Sequence, residues 1–172
     1  MKKTCYALAT AALLLGACAT TSDNEGPYGV ATMNPASGSK VEGSVTFTQI
    51  RKDRVRVTAD LAGSTPGPKG FHIHEKGDCS APDAMSAGGH FNPLKHKHAS
   101  TPAVGHAGDM GNITFDPSGK ASLTLVLDGI SLSPDSPTNI IGRAVVVHAQ
   151  RDDLITDPTG NAGGRVACGV IR

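Results

Sequence analysis

The chain has 172 residues, 16 lysines and arginines against 15 acids, and a mean hydropathy of -0.14, which suits one globular domain. Aromatics make up only 3% and no basic stripe is present, so the stacking platforms and phosphate tracks of nucleic-acid binders are missing. The longest apolar run, near the N-terminus, is too short and too rich in alanine for a membrane span.

In chain order, Met1-Lys2-Lys3 leads into an apolar stretch through Leu13-Leu14-Leu15 that ends at Gly16-Ala17-Cys18. Early lysines, a short apolar run and small residues predict an export signal over residues 1–17. Leu15-Gly16-Ala17-Cys18 is similar to the bacterial lipobox, which implies lipidation of Cys18 as the mature N-terminus. Residues 18–27 are then a polar, flexible tether and residues 28–172 the domain. Ala19 is not an aspartate, which for a lipoprotein implies outer-membrane sorting, so the expected location is the periplasm with a lipid anchor. Cys5 would leave with the signal and Cys18 take the lipid. The remaining pair, Cys79 and Cys168, is expected to form a disulfide in that oxidising compartment. Closing so long a loop is worth about 4–5 kcal/mol in the chain-entropy account. Without Lys2 and Lys3 the mature chain carries 14 basic residues against 15 acids.

The domain reads as all-β. Val45, Phe47 and Gln49 alternate with threonines, Val55, Val57 and Ala59 with Arg54, Arg56 and Thr58, and Leu123, Leu125 and Leu127 with Ser122, Thr124 and Val126. Asp116-Pro117-Ser118-Gly119 predicts a turn between Ile113-Thr114-Phe115 and the Leu123 strand. Short strands with glycine and proline turns predict an antiparallel sandwich or barrel. Alternation disappears between residues 77 and 111, and a second irregular stretch spans 150–164. Residues 129–140 look like a crossover connection. An irregular segment as long as the first is usually functional, and four of the seven histidines lie in it.

His72 and His74 sit at i and i+2, on one face of a strand and close enough to share an ion. His148 ends the β-branched run Ala144-Val145-Val146-Val147. His90, His98, His106 and Asp109 supply three imidazoles and a carboxylate, a plausible tetrahedral zinc set.

Gly70-Phe71-His72-Ile73-His74-Glu75, Gly88-Gly89-His90-Phe91-Asn92-Pro93, Gly105-His106-Ala107-Gly108-Asp109-Met110-Gly111-Asn112, Gly142-Arg143-Ala144-Val145-Val146-Val147-His148 and Gly160-Asn161-Ala162-Gly163-Gly164-Arg165-Val166-Ala167-Cys168-Gly169-Val170-Ile171 resemble, in family order, the copper/zinc superoxide dismutases. The resemblance implies a Greek-key β-sandwich or flattened barrel with long metal-binding and active-site loops. It implies copper on His72, His74, His90 and His148, and zinc on His90, His98, His106 and Asp109, with His90 shared as a bridging imidazolate. His98, eight residues after His90, fits the family's zinc position better than His96, only six after it.

Asp152 falls where the family has an acid that accepts from the outer nitrogens of two ligands, here His72 and His98; neighbouring Asp153 keeps that choice open. Arg165 matches the arginine that orients the anionic substrate. The implied activity converts superoxide to dioxygen and hydrogen peroxide at a copper that is alternately reduced and oxidised, with Arg165 and His90 as catalytic groups. The alternative is a non-enzymatic periplasmic copper/zinc-binding protein on the same fold. A mature net charge of −1 cannot attract an anion, so any steering must be local, from the metals, from Arg165 or from Lys69, Lys76, Lys95, Lys97 or Arg151. Expected partners are superoxide and, through the Cys18 lipid, a membrane. A monomer and a homodimer both stay open, because alternation reveals no interface.

Overall fold

The computed structural model describes residues 26–172; the predicted signal, Cys18 and most of the tether lie outside them. Among the described residues eight strands form in chain order: β1 (Tyr28–Pro35), β2 (Glu42–Arg51), β3 (Arg54–Ala62), β4 (Gly67–His74), β5 (Asp109–Phe115), β6 (Lys120–Asp128), β7 (Ala144–His148) and β8 (Arg165–Val170). One 3-10 turn, Met85–Ala87, is the sole helical element among the described residues. Each bonded neighbour is antiparallel, and the lateral order is β5-β4-β7-β8-β1-β2-β3-β6. The two end strands, β5 and β6, are consecutive and joined by the Asp116 turn, so the row curls into a nearly closed Greek-key barrel. The all-β expectation is met.

Alternation builds the barrel as the sequence suggests. Val45 faces Ala59 and Phe47 faces Val57 across β2 and β3, while Val55, Val57 and Ala59 face Leu127, Leu125 and Leu123 across β3 and β6. Phe47, Phe71, Phe115, Ile73 and Ile113 fill the interior with these valines. A buried side chain of this size stabilises by about 1.5–3 kcal/mol. Gln49 lies at the barrel's end, and its Oε1 accepts from Leu132 N (2.6 Å), which ties down the crossover expected at 129–140. β5 begins earlier than Ile113: Asp109 already pairs with His72 through a bulge, so the irregular stretch ends at residue 108.

One half of the barrel has a second roof. Every residue of β7 and the last five of β4 are buried. Their inner faces carry Phe71, Ile73, Val145 and Val147, and their outer faces lie under the loops 75–108 and 149–164. Backbone bonds fasten the first loop in a triangle: Phe91 N donates to Ile73 O, Ile73 N to Gly108 O and Gly108 N to Phe91 O, at 2.8–2.9 Å. A Cβ on Gly108 would lie 2.1 Å from Ile73 O, so only glycine lets the loop approach the strand this closely.

Candidate metal centre

The triangle brings residues distant in sequence against β4. His90 immediately precedes Phe91 and bridges to His74, while His106 and Asp109 flank Gly108. His148 arrives from the adjacent end of β7. Among the described residues the donors form two four-residue sets, each with its ligand atoms within 4.8 Å of one another, His72, His74, His90, His148 and His90, His98, His106, Asp109, and a smaller group of His72, His98 and Asp152 lies between them. All seven residues of the two sets are buried.

Hydrogen bonds orient each imidazole. His74 Nδ1 donates to Gly88 O (2.9 Å) and His148 Nδ1 to Gly163 O (3.1 Å). A carbonyl only accepts, so each ring keeps its lone pair on Nε2. Those two Nε2 atoms stand 3.3 Å apart. Facing lone pairs at that distance call for a cation between them. His72 Nε2 donates to Asp152 Oδ2 (2.7 Å), which leaves Nδ1 inward. His72 Nδ1 and His90 Nε2 are buried side-chain nitrogens with no hydrogen-bond partner, and both belong to rings of the first set. Orphaned buried nitrogens are rare, and a metal ion held by the first set would satisfy both.

In the second set, Nδ1 of His90, His98 and His106 lie 3.0, 3.1 and 3.3 Å from Asp109 Oδ1. The other carboxylate oxygen, Oδ2, accepts from Ala99 N and His106 N and so turns Oδ1 toward the rings. His90 therefore serves both sets, one nitrogen to each. Three imidazoles and a carboxylate suit zinc, and four imidazoles suit copper, so the donors fit the ions their types select.

Asp152 straps the sets together. Its Oδ2 accepts from His72 of the first, and its Oδ1 from His98 Nε2 of the second (2.9 Å). Asn112 on β5 clamps its backbone from both sides, with Asp152 N donating to Asn112 Oδ1 and Asn112 Nδ2 to Asp152 O. Gly160 allows the loop to close over the strap, because a Cβ there would lie 1.8 Å from Asp152 Oδ1. Asp153 is exposed and instead accepts from Ile155 N and Thr156 N. His96 is likewise exposed, bonded to Gly105 O, and belongs to neither set.

Burial dominates the electrostatics. It holds the His72 imidazole down to about 4, against the opposing hydrogen bond to Asp152, and His148 down to about 3. His74 falls well below its ordinary value for the same reason, and His106 is also lowered. These rings are thus neutral donors at physiological pH. Burial pushes Asp109 and Asp152 upward, but hydrogen bonds from the imidazoles and from the backbone N–H groups of Ala99 and Leu154, together with nearby positive charge, keep both carboxyls below their ordinary value.

Residues 41–171 match the family described as copper/zinc superoxide dismutase (SODC). The chain belongs to the copper/zinc superoxide dismutase family. Among solved structures, one described as the clock protein EA4 is 44% identical, with a TM-score of 0.74, over 84% of this chain and 92% of that one. Family membership implies copper and zinc, in keeping with two adjoining histidine-rich donor sets.

The first set opens onto a cleft of about 590 Å³ lined by His74, His90, His148 and Arg165. Arg165 is half-buried, and its guanidinium donates to Ala84 O (2.6 Å) and Gly88 O (2.5 Å). Cys79 and Cys168 form the disulfide expected from the cysteine count, tying the loop that carries these carbonyls to β8, which carries Arg165. Gly88 O thus holds both Arg165 and His74. Neither that carbonyl nor Gly163 O could be found in the sequence, since every residue has one. None of Lys69, Lys76, Lys95, Lys97 and Arg151 lines the cleft, and Lys69 Nζ is engaged with Ala149 O. An acid that the sequence did not single out, Asp83, does line it.

Proposed function

We propose that the protein is a superoxide dismutase, converting two superoxide ions and two protons into dioxygen and hydrogen peroxide. The observation that carries this reading is His90, whose two ring nitrogens each face a separate set of buried donors beside a cleft containing Arg165. His72, His74, His90 and His148 would hold copper, and His90, His98, His106 and Asp109 zinc. When bound, copper supplies reversible one-electron chemistry, and zinc an electrostatic partner for the shared imidazole. Arg165 attracts superoxide and orients it toward His90 Nε2, held by its two carbonyls so that little ordering is left for the binding step. His90 Nε2 holds and releases a proton beside the anion, while Nδ1 stays committed to the Asp109 side. Asp152 keeps the His72 and His98 rings in register throughout.

The proposal extends to location: a lipoprotein anchored through Cys18 to the outer membrane and facing the periplasm, as its N-terminal pattern suggests. The alternative, a metal-binding protein without catalysis, draws on the description of a 44% identical structure as a clock protein. One experiment separates the two readings. Protein lacking residues 1–17 is loaded with copper and zinc and superoxide decay is followed directly. Rapid decay that depends on copper supports the enzyme; a histidine-bound cupric spectrum with no acceleration of decay supports the alternative.

A further inference from the structure

Of the residues lining the cleft other than its histidines, only Arg165 and Asp83 carry a formal charge. Asp83 is exposed, two positions before the Met85–Ala87 turn and next to Ala84, whose carbonyl holds the guanidinium. Its Oδ1 accepts from Met85 N (3.0 Å). Asparagine or serine would cap that turn equally well, so the turn does not account for the charge. The guanidinium spends two of its five N–H donors on Ala84 O and Gly88 O, and neither of these bonds involves the acid. The cleft lining thus pairs one cation with one anion, and none of the five expected cations joins them there.

We propose that Asp83 is a charge filter: its carboxylate at the rim of the Arg165 site selects small monoanions over dianions. This rests on the reading of the cleft as the superoxide site. The physical basis is that repulsion scales with the charge of the incoming ion. A monoanion meets Asp83 once and a dianion twice, whereas Arg165 alone would favour the dianion. Superoxide is admitted at some loss of attraction, and sulfate- or phosphate-like ions, which would block the arginine, are repelled by the square of that factor.

The test compares azide and sulfate on the copper- and zinc-loaded protein. Azide affinity is read from the perturbation of the cupric absorption, and sulfate affinity from its competition with azide, both at a constant low ionic strength. Asp83→Asn keeps the acceptor for Met85 N and removes only the charge. It should tighten azide about two- to threefold and sulfate by about the square of the azide factor, four- to ninefold. Asp83→Lys should extend both changes in the same direction and the same proportion. Near 1 M salt, where the screening length is about 3 Å, the differences should vanish. Unchanged azide and sulfate affinities in both variants, or equal factors for the two ions, would overturn the filter while leaving the proposed activity intact. A wild-type cupric spectrum that azide does not perturb would instead remove the anion site on which the filter depends.

Discussion

The half of the barrel made of β1, β2, β3 and β6 and the half made of β5, β4, β7 and β8 use the same strands differently. In the first, alternation is clean: Val55, Val57, Ala59 and Leu61 point inward, and the intervening residues of β3 are exposed or half-buried. In the second, β7 has no exposed residue at all, and the outward residues His72 and His74 of β4 are as buried as the inward Phe71 and Ile73. A strand face bounded by water can carry threonine and arginine. A face roofed by loops must find a partner for every polar group it carries. The roofed half meets that demand with carbonyls and Asp152 for the outer ring nitrogens, and leaves His72 Nδ1 and His90 Nε2 without a hydrogen-bond partner, facing the candidate metal positions. One half therefore supplies stability and the other chemistry.

The largest effect expected from breaking this division is that of His148→Ala. It deletes a donor of the first set while sparing the core residues Val145 and Val147 of the same strand. Dismutation should be abolished while circular dichroism retains the strand signal; activity near wild type would remove His148 from the site. Phe47→Ala attacks the other half. The loss of a fully buried ring from the core should cost about 3–5 kcal/mol in denaturant unfolding, with metal affinity under native conditions little changed. A cost near zero would mean that the two halves do not share the core described.

Asp152→Ala should act on the roofed half alone. With His72 and His98 unstrapped, metal affinity measured by chelator competition should fall about 10- to 100-fold. The corresponding change at exposed Asp153 should leave it untouched. The smallest effect belongs to the open end of the barrel, at Asp116→Asn. Bonds from Lys120 N, Ser118 Oγ and Ser118 N to the carboxylate lower its pKa in the folded state. A group lowered on folding adds stability above its unfolded pKa and loses that contribution as pH falls through its folded pKa. The wild type should therefore melt slightly above the variant near neutral pH, and the gap should close as pH falls below the ordinary carboxylate range. A gap that widened on acidification would contradict the assignment.

Much of the open half was legible from residue pattern alone. The inward sets of β2, β3 and β6 are those the alternation marks, because a half-buried strand writes its environment in period two. β4 and β7 show no such pattern, since both their faces are buried, and their strand character came from β-branched residues and from family motifs. The long stretch after residue 77 was recognisable as irregular and rich in histidine. Which of its histidines turn inward was not: His96 and His98 differ by two positions, yet one is exposed and the other buried.

The amino-acid sequence by itself determined the all-β class, the identity of the donor side chains and, through its motifs, the family, because these depend on residue type and local spacing. Only the tertiary structure decided which nitrogen of each ring faces inward, which of two neighbouring aspartates straps the donor sets and which charges share the cleft with Arg165. Those outcomes depend on backbone carbonyls and loop paths brought together over tens of residues, and no local spacing encodes them.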